Sequence, residues 1–175
     1  MILDGLLQFS APSPGDTILA ATVNSTNVID LHMAGIPILA AGQGARDIGI
    51  GDDPAMKLLV QVSVAAAGGT SLQVALQGAP DNGSGLPGTF VTWWLSPVYA
   101  IATLVAGARL YDMDMPRPPA GVVEPRFLRL LYTAAGVFTA GNLQAFIVLD
   151  RHDMFYNALS NAVLGGYPPG VVVNN

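Results

Sequence analysis

The clearest periodicity in the chain runs from Lys57 to Ala79, KLLVQVSVAAAGGTSLQVALQGA. Leu58, Val60, Val62 and Val64 alternate with Leu59, Gln61 and Ser63, as in a strand with one apolar and one mixed face. After three alanines, Gly68-Gly69 supplies the backbone freedom of a tight reversal. The alternation then resumes with Leu72, Val74 and Leu76 against Ser71, Gln73, Ala75 and Gln77. Two like runs around a Gly-Gly loop predict a β-hairpin whose apolar face a second layer must cover. A helix fits poorly, because the glycines interrupt it and the apolar residues recur at every second position.

The same reading extends along the chain. Thr17 to Val23 reads as a strand broken by Asn24-Ser25-Thr26, with a short segment at Val28 to Leu31. Met33 to Pro54 is punctuated by Gly42, Gly44, Gly49 and Gly51 and reads as a long loop, of the kind that carries function or covers a neighbour. Pro80 to Gly88, PDNGSGLPG, is the strongest turn signal, and Thr89 to Leu95 follows as a strand. In a regular strand Trp93 and Trp94 face opposite ways, one ring into the core and one into an interface. From Thr89 to Ala108 the chain carries no charge, so a membrane span has to be weighed. The interior Pro97, the central tryptophans and the missing basic anchor favour two strands joined at Ser96-Pro97 instead.

Arg109 to Met113 alternates again, and the prolines of Asp112 to Pro125 make that stretch an extended connection. Arg126 to Thr133 places Leu128, Leu130 and Tyr132 on one face and Phe127, Arg129 and Leu131 on the other. A loop over Ala134 to Gly141 leads to a strand from Asn142 to Asp150, apolar on both faces, and the pair predicts a second hairpin. Beyond it, Asp153 is placed to cap a short helix through Leu159. Gly165-Gly166 and Pro168-Pro169 then break any regular structure. The expected organisation is one all-β domain over residues 1–150 and a C-terminal extension over 151–175, docked on the domain or on a partner subunit.

Composition narrows the function classes. Of the 175 residues only 11% are charged, against about a quarter in an ordinary soluble protein, and the formal net charge is -5. So few charges favour burial of part of the surface against a partner protein. The acidic balance and the absence of a Lys/Arg cluster argue against nucleic-acid binding. With no cysteine there is neither a disulfide framework nor a thiolate site. The opening MILDGLLQFS has no basic region ahead of its apolar residues and does not resemble a signal peptide.

Reactive constellations are scarce. His32 and His152 lie near Asp30, Asp150 and Asp153 in the sequence, but no spacing assembles three or four metal ligands. Asp47, Asp52, Asp53, Asp112 and Asp114 form the acidic clusters, none with the calcium-loop pattern. Gly42-Gln43-Gly44 lacks the lysine and the helix of a phosphate loop. Asn24 and Asn82 stand in N-x-S/T triplets and read as turn residues. Neither enzymatic activity nor a cofactor is expected. Arg126 and Arg129 fall on opposite strand faces, so one belongs at a strand mouth or beside an acidic loop. Arg46, next to Asp47, is a candidate intersubunit contact.

Several segments together resemble a known family. MILDGLLQFS at the start, STNVIDL at Ser25 to Leu31, ARDIGIG at Ala45 to Gly51, FLRLLYT at Phe127 to Thr133 and FTAGNLQAFIVLD at Phe138 to Asp150 are similar to the capsid cement (decoration) proteins of short-tailed double-stranded DNA phages. The resemblance implies an antiparallel jelly-roll β-sandwich that dimerises on the outer surface of the virion. There it would clamp neighbouring subunits of the major capsid protein, with no role in membrane or nucleic-acid binding. The proline-rich segment Asp112 to Pro125 and the tail Arg151 to Asn175 are more elaborate than that pattern. The interface is expected in the Met33 to Pro54 loop, the Trp93-Trp94 strand and the C-terminal tail, and the candidate interface residues are Arg46, Asp47, Trp93, Trp94, Tyr99, Arg129, Phe155, Tyr156 and Tyr167. The alternative is a carbohydrate- or receptor-binding sandwich module, which needs an exposed aromatic platform.

Overall fold

A computed structural model describes residues 7–10, 15–19, 21–31, 56–122 and 125–148, with the backbone of Phe155–Asn157 and Ala162–Leu164. Its strands are β1 (Asp16–Thr17), β2 (Thr22–Asn24), β3 (Ile29–Asp30), β4 (Lys57–Gly68), β5 (Ser71–Ala79), β6 (Val91–Leu95), β7 (Tyr99–Ala100), β8 (Arg109–Asp114), β9 (Phe127–Ala135), β10 (Phe138–Val148), β11 (Phe155–Asn157) and β12 (Ala162–Leu164). All strand pairings among the described residues are antiparallel. One large sheet has the order β1-β10-β4-β8, a second has β2-β9-β5-β6, with β3 on β9 and β7 on β5, and β11-β12 form a separate two-stranded sheet. Among the described residues the fold is all-β, with the two large antiparallel sheets enclosing one core. Among the described residues no helix is long and apolar enough to cross a membrane, and Thr89 to Ala108 is divided between β6, β7 and a 3-10 turn at Ile101–Thr103.

Neither predicted hairpin forms. β4 lies in the first sheet and β5 in the second, and β9 and β10 are divided in the same way. The two long runs pair with each other instead. Lys57 stands opposite Val148, Gly68 opposite Phe138, Ser71 opposite Ala135 and Ala79 opposite Phe127, so the ladder continues from one sheet into the other. At the crossing, Gly69 donates its N–H to Val137 O at 2.6 Å and Thr70 to Ala135 O at 2.7 Å. Gly68 has φ 76°, and a Cβ there would sit 2.5 Å from Val137 O, so the bend requires glycine. Alternation fixes which face each residue takes, but a reversal and a corner between sheets satisfy it equally.

The flanking segments bend over the same end. Ile18 donates to Gly141 O and Ala134 to Ala21 O, carrying the chain from β1 to β2 where a single strand over Thr17 to Val23 was expected. On the other side Ala66 donates to Leu104 O and Ile101 to Thr70 O, linking β7 to β8. The sandwich is thus a four-lane antiparallel sheet folded over on itself.

The faces follow the sequence pattern closely. Leu58, Val60, Val62, Leu72, Val74, Leu76, Leu128, Leu130, Tyr132, Leu143, Ala145 and Ile147 meet in the core. A fully buried leucine of this kind contributes about 1.5–3 kcal/mol. Val148 is buried outside that cluster, so the β10 end is covered on both faces as its apolar run predicts. Two serines close ladder gaps. Ser25 Oγ accepts from Leu130 N at 3.0 Å, and Ser96 Oγ accepts from Val74 N at 2.9 Å.

Two further expectations are corrected. β10 begins at Phe138, inside the predicted loop over Ala134 to Gly141. Residues Phe155–Asn157 pair with Ala162–Leu164 as a small two-stranded sheet, replacing the predicted helix after Asp153.

Candidate interaction surfaces

The folded-over end has an unusual composition. The segments that cross it, TILAAT at 17–22, SVAAAGGTS at 63–71, AIATLVAGA at 100–108 and TAAGVFTAGN at 133–142, contain no charged residue. Packing is close at the bend: a Cβ on Gly69 would sit 2.3 Å from Phe138 Cε2. What remains outside is apolar: Val137 is 80% exposed, Val105 56% and Leu19 48%. A neutral apolar edge of this kind loses little desolvation energy when a protein surface covers it.

The opposite end is ionic. Arg126, just ahead of β9, donates Nε and a terminal nitrogen to the two oxygens of Asp30, both at 2.9 Å, and its other terminal nitrogen to Asp81. Its guanidinium also lies over the Phe127 ring, 4.9 Å from the centroid. Hydrogen bonding to Asp30 is the main reason its guanidinium holds its proton more tightly than usual. Asp81 also accepts from Gly83 N at 2.7 Å and Gly85 N at 3.0 Å, which folds the PDNGSGLPG turn. Desolvation of Asp81 opposes ionisation, but those two N–H groups and Arg126 together hold its carboxyl below the usual range. This is the arginine at a strand mouth that the spacing anticipates.

Arg129, three residues along, has a different environment. Its side chain lies on the outer face of the second sheet, opposite Gln77 in the ladder. Nε donates to Gln77 Oε1 at 2.8 Å, Gln77 Nε2 donates to Thr92 Oγ1 at 3.0 Å, and the guanidinium stacks 3.8 Å from the Phe90 centroid. Burial without a carboxylate lowers its proton affinity.

The tryptophans depart from simple alternation. Leu76 faces Trp94 while Gln77 faces Thr92, so Trp93 is the extra residue of a β-bulge. Both indoles pack, half-buried, against the core, where one inward and one outward ring was expected. Trp93 lies where a side chain on Gly78 would be, its Cζ2 2.0 Å from the position of a Cβ there. Trp94 meets Tyr111 across the sandwich with ring centroids 4.2 Å apart. Tyr99 closes the same rim by donating its hydroxyl to Leu110 O, and burial raises the pKa of both tyrosines. Trp93, Trp94 and Tyr99 therefore form one aromatic rim, with Arg129 on the sheet face outside it.

Of the other predicted interface residues, Phe155 and Tyr156 fall in β11, paired with Leu164 and Val163. Arg46, Asp47 and Tyr167, the glycine-rich loop around them, and His32 and His152 lie outside the described residues. Asp112 pairs with Arg109 at 3.2 Å and Asp114 with Lys57 at 3.7 Å, so both acids face cations. Among the described residues no group of three or more His, Asp or Glu side chains converges as metal ligands would.

The charge-free end is the feature that strand-by-strand reading missed. Its signal lies in the sequence, as four uncharged small-residue runs, but only the fold brings them side by side. Residues 13–147 match the family described as Bbp16, and the chain belongs to that family. No curated protein matches the chain.

Proposed function

We propose that this Bbp16-family chain is a structural contact protein, a cement on the outer surface of an icosahedral phage capsid that clamps neighbouring major capsid subunits. The supporting observation is the folded-over end, where four adjoining segments carry no charge and leave Val137, Val105 and Leu19 open to a partner. The capsid as partner comes from the resemblance of the five segments described above. In this reading the sandwich is a jelly roll, its long β4-β5/β9-β10 ribbon rolled over once. The chain acts as a homodimer, has no catalytic activity and needs no cofactor. Repetition over a shell turns modest single contacts into strong retention.

The carbohydrate-binding alternative requires aromatic rings open to solvent. The inward packing of Trp93 and Trp94 gives it little support. The deciding experiment is co-sedimentation of the purified chain with cognate shells lacking it, followed by heating or dilution into low salt. Retention on shells that become more resistant is the expected result. Shells that neither bind the chain nor gain resistance would defeat the reading.

A further inference from the structure

Two arginines at the start of β9 differ in one respect that points to a ligand. Among the described residues Lys57, Arg109 and Arg126 each face a carboxylate. Arg129 is half-buried, yet its described contacts are an amide oxygen and an aromatic ring. A guanidinium partly withdrawn from water without a counter-charge loses solvation that an anionic partner would offset. Here the cost extends to its supports, because the Gln77 side chain is held between Thr92 and Arg129 Nε.

We propose that Arg129 is an anchor that receives an acidic side chain, Asp or Glu, from a partner protein docking on the outer face of the second sheet. Stacking on Phe90 fixes the guanidinium plane, and the Nε bond to Gln77 fixes its rotation. The two terminal nitrogens are left as a fork matched to the two oxygens of a carboxylate. The surroundings suit a protein: Leu131, Thr133, Thr92, Leu95 and Asn24 are uncharged neighbours on this face, and the charges toward its β3 end, Asp30 and Arg126, are already paired with each other. A central arginine inside an uncharged surround is the usual make-up of an interface hot spot. Nucleic acid is disfavoured because the chain is net acidic and the neighbouring Arg126 is already neutralised by Asp30 and Asp81, which leaves no row of cations. This deepens the reading of the chain as a contact protein and rests on it.

Two measurements test it. In the first, the side-chain nitrogen resonances of the arginines are followed while sodium acetate replaces sodium chloride at constant ionic strength. Arg129 should move more than the exposed Arg117, while Arg126 stays still. A response of Arg129 no larger than that of Arg117 overturns the proposal. In the second, Arg129→Lys and Arg129→Gln are compared with the unaltered chain for binding to shells, after thermal melts confirm folding. Both should bind roughly tenfold more weakly, the lysine variant because it keeps the charge but loses the fork. Shell binding unchanged in Arg129→Gln overturns the anchor and leaves the cement reading standing. If the unaltered chain fails to bind shells, the cement reading falls and the acetate response alone decides whether Arg129 is a carboxylate site.

Discussion

The two ends of this sandwich are built on opposite principles. At the folded-over end, backbone crosses between sheets in segments that carry no charge, held by glycine geometry and amide hydrogen bonds such as Gly69 to Val137. At the other end Arg126 joins two acids contributed by β3 and by the turn after β5. This contrast determines where the chain can accept a partner. An end secured by main-chain geometry leaves its side chains free for contact, whereas an end secured by ion pairing has already used its polar groups.

The largest effect is expected at the bend. Gly68→Val combines a forbidden positive φ with a clash against Val137 O, and should cost at least about 3 kcal/mol by chemical denaturation. A smaller loss would mean that the corner relaxes and that geometry does not secure this end. Next comes the buried Tyr132, whose hydroxyl lies 2.7 Å from Ser10 Oγ. Burial raises its pKa above the ordinary 10.0, against the hydrogen bond from Ser10 and with the help of Asp16. The unfolded chain therefore releases this proton first, and stability present below about pH 10 should fall as the pH rises further. Tyr132→Phe should cost about 1–3 kcal/mol at neutral pH by orphaning Ser10, and should flatten that alkaline decline in a melting series.

The ionic end responds to acid and salt. Since Asp81 titrates below its ordinary value of 3.8, its contribution is present at neutral pH and is lost as the pH falls through and below that value. Asp81→Asn should lower stability at neutral pH and shrink the loss on acidification. An acid limb identical to that of the unaltered chain would remove Asp81 from the account. The smallest effect on folding belongs to Val137→Asp, expected within about 0.5 kcal/mol because the side chain is exposed. Its effect should appear in association instead, as weakened shell binding in the sedimentation assay.

These contrasts also mark what the sequence discloses. The inward residues of β4, β5, β9 and β10 were legible because period-two alternation reports faces directly. Strand partners were not, because Gly68-Gly69 serves a reversal and a corner equally well. The run of alanines before it, too small for a covered strand end, was the available hint. Parity failed at Trp93 for a related reason: one bulged residue moves its neighbour to the other face without leaving a trace in the pattern. At the candidate site, the opposite-face spacing of Arg126 and Arg129 indicated that one of them belongs at a strand mouth or beside an acidic loop, but not which one. That Arg129 would meet an amide and a ring depended on lane order, which local spacing does not encode.

The shared ladder between β4-β5 and β9-β10 also governs how the chain reaches its native state. Lys57 cannot find Val148 until nearly the whole sandwich sequence has left the ribosome. Until then β4 and β5 have apolar faces and no native central neighbour. Contacts so distant along the chain make folding slow and late, and leave nascent strands open to aggregation. Rapid synthesis at high temperature should therefore lower the soluble yield of this protein well before it threatens the finished fold.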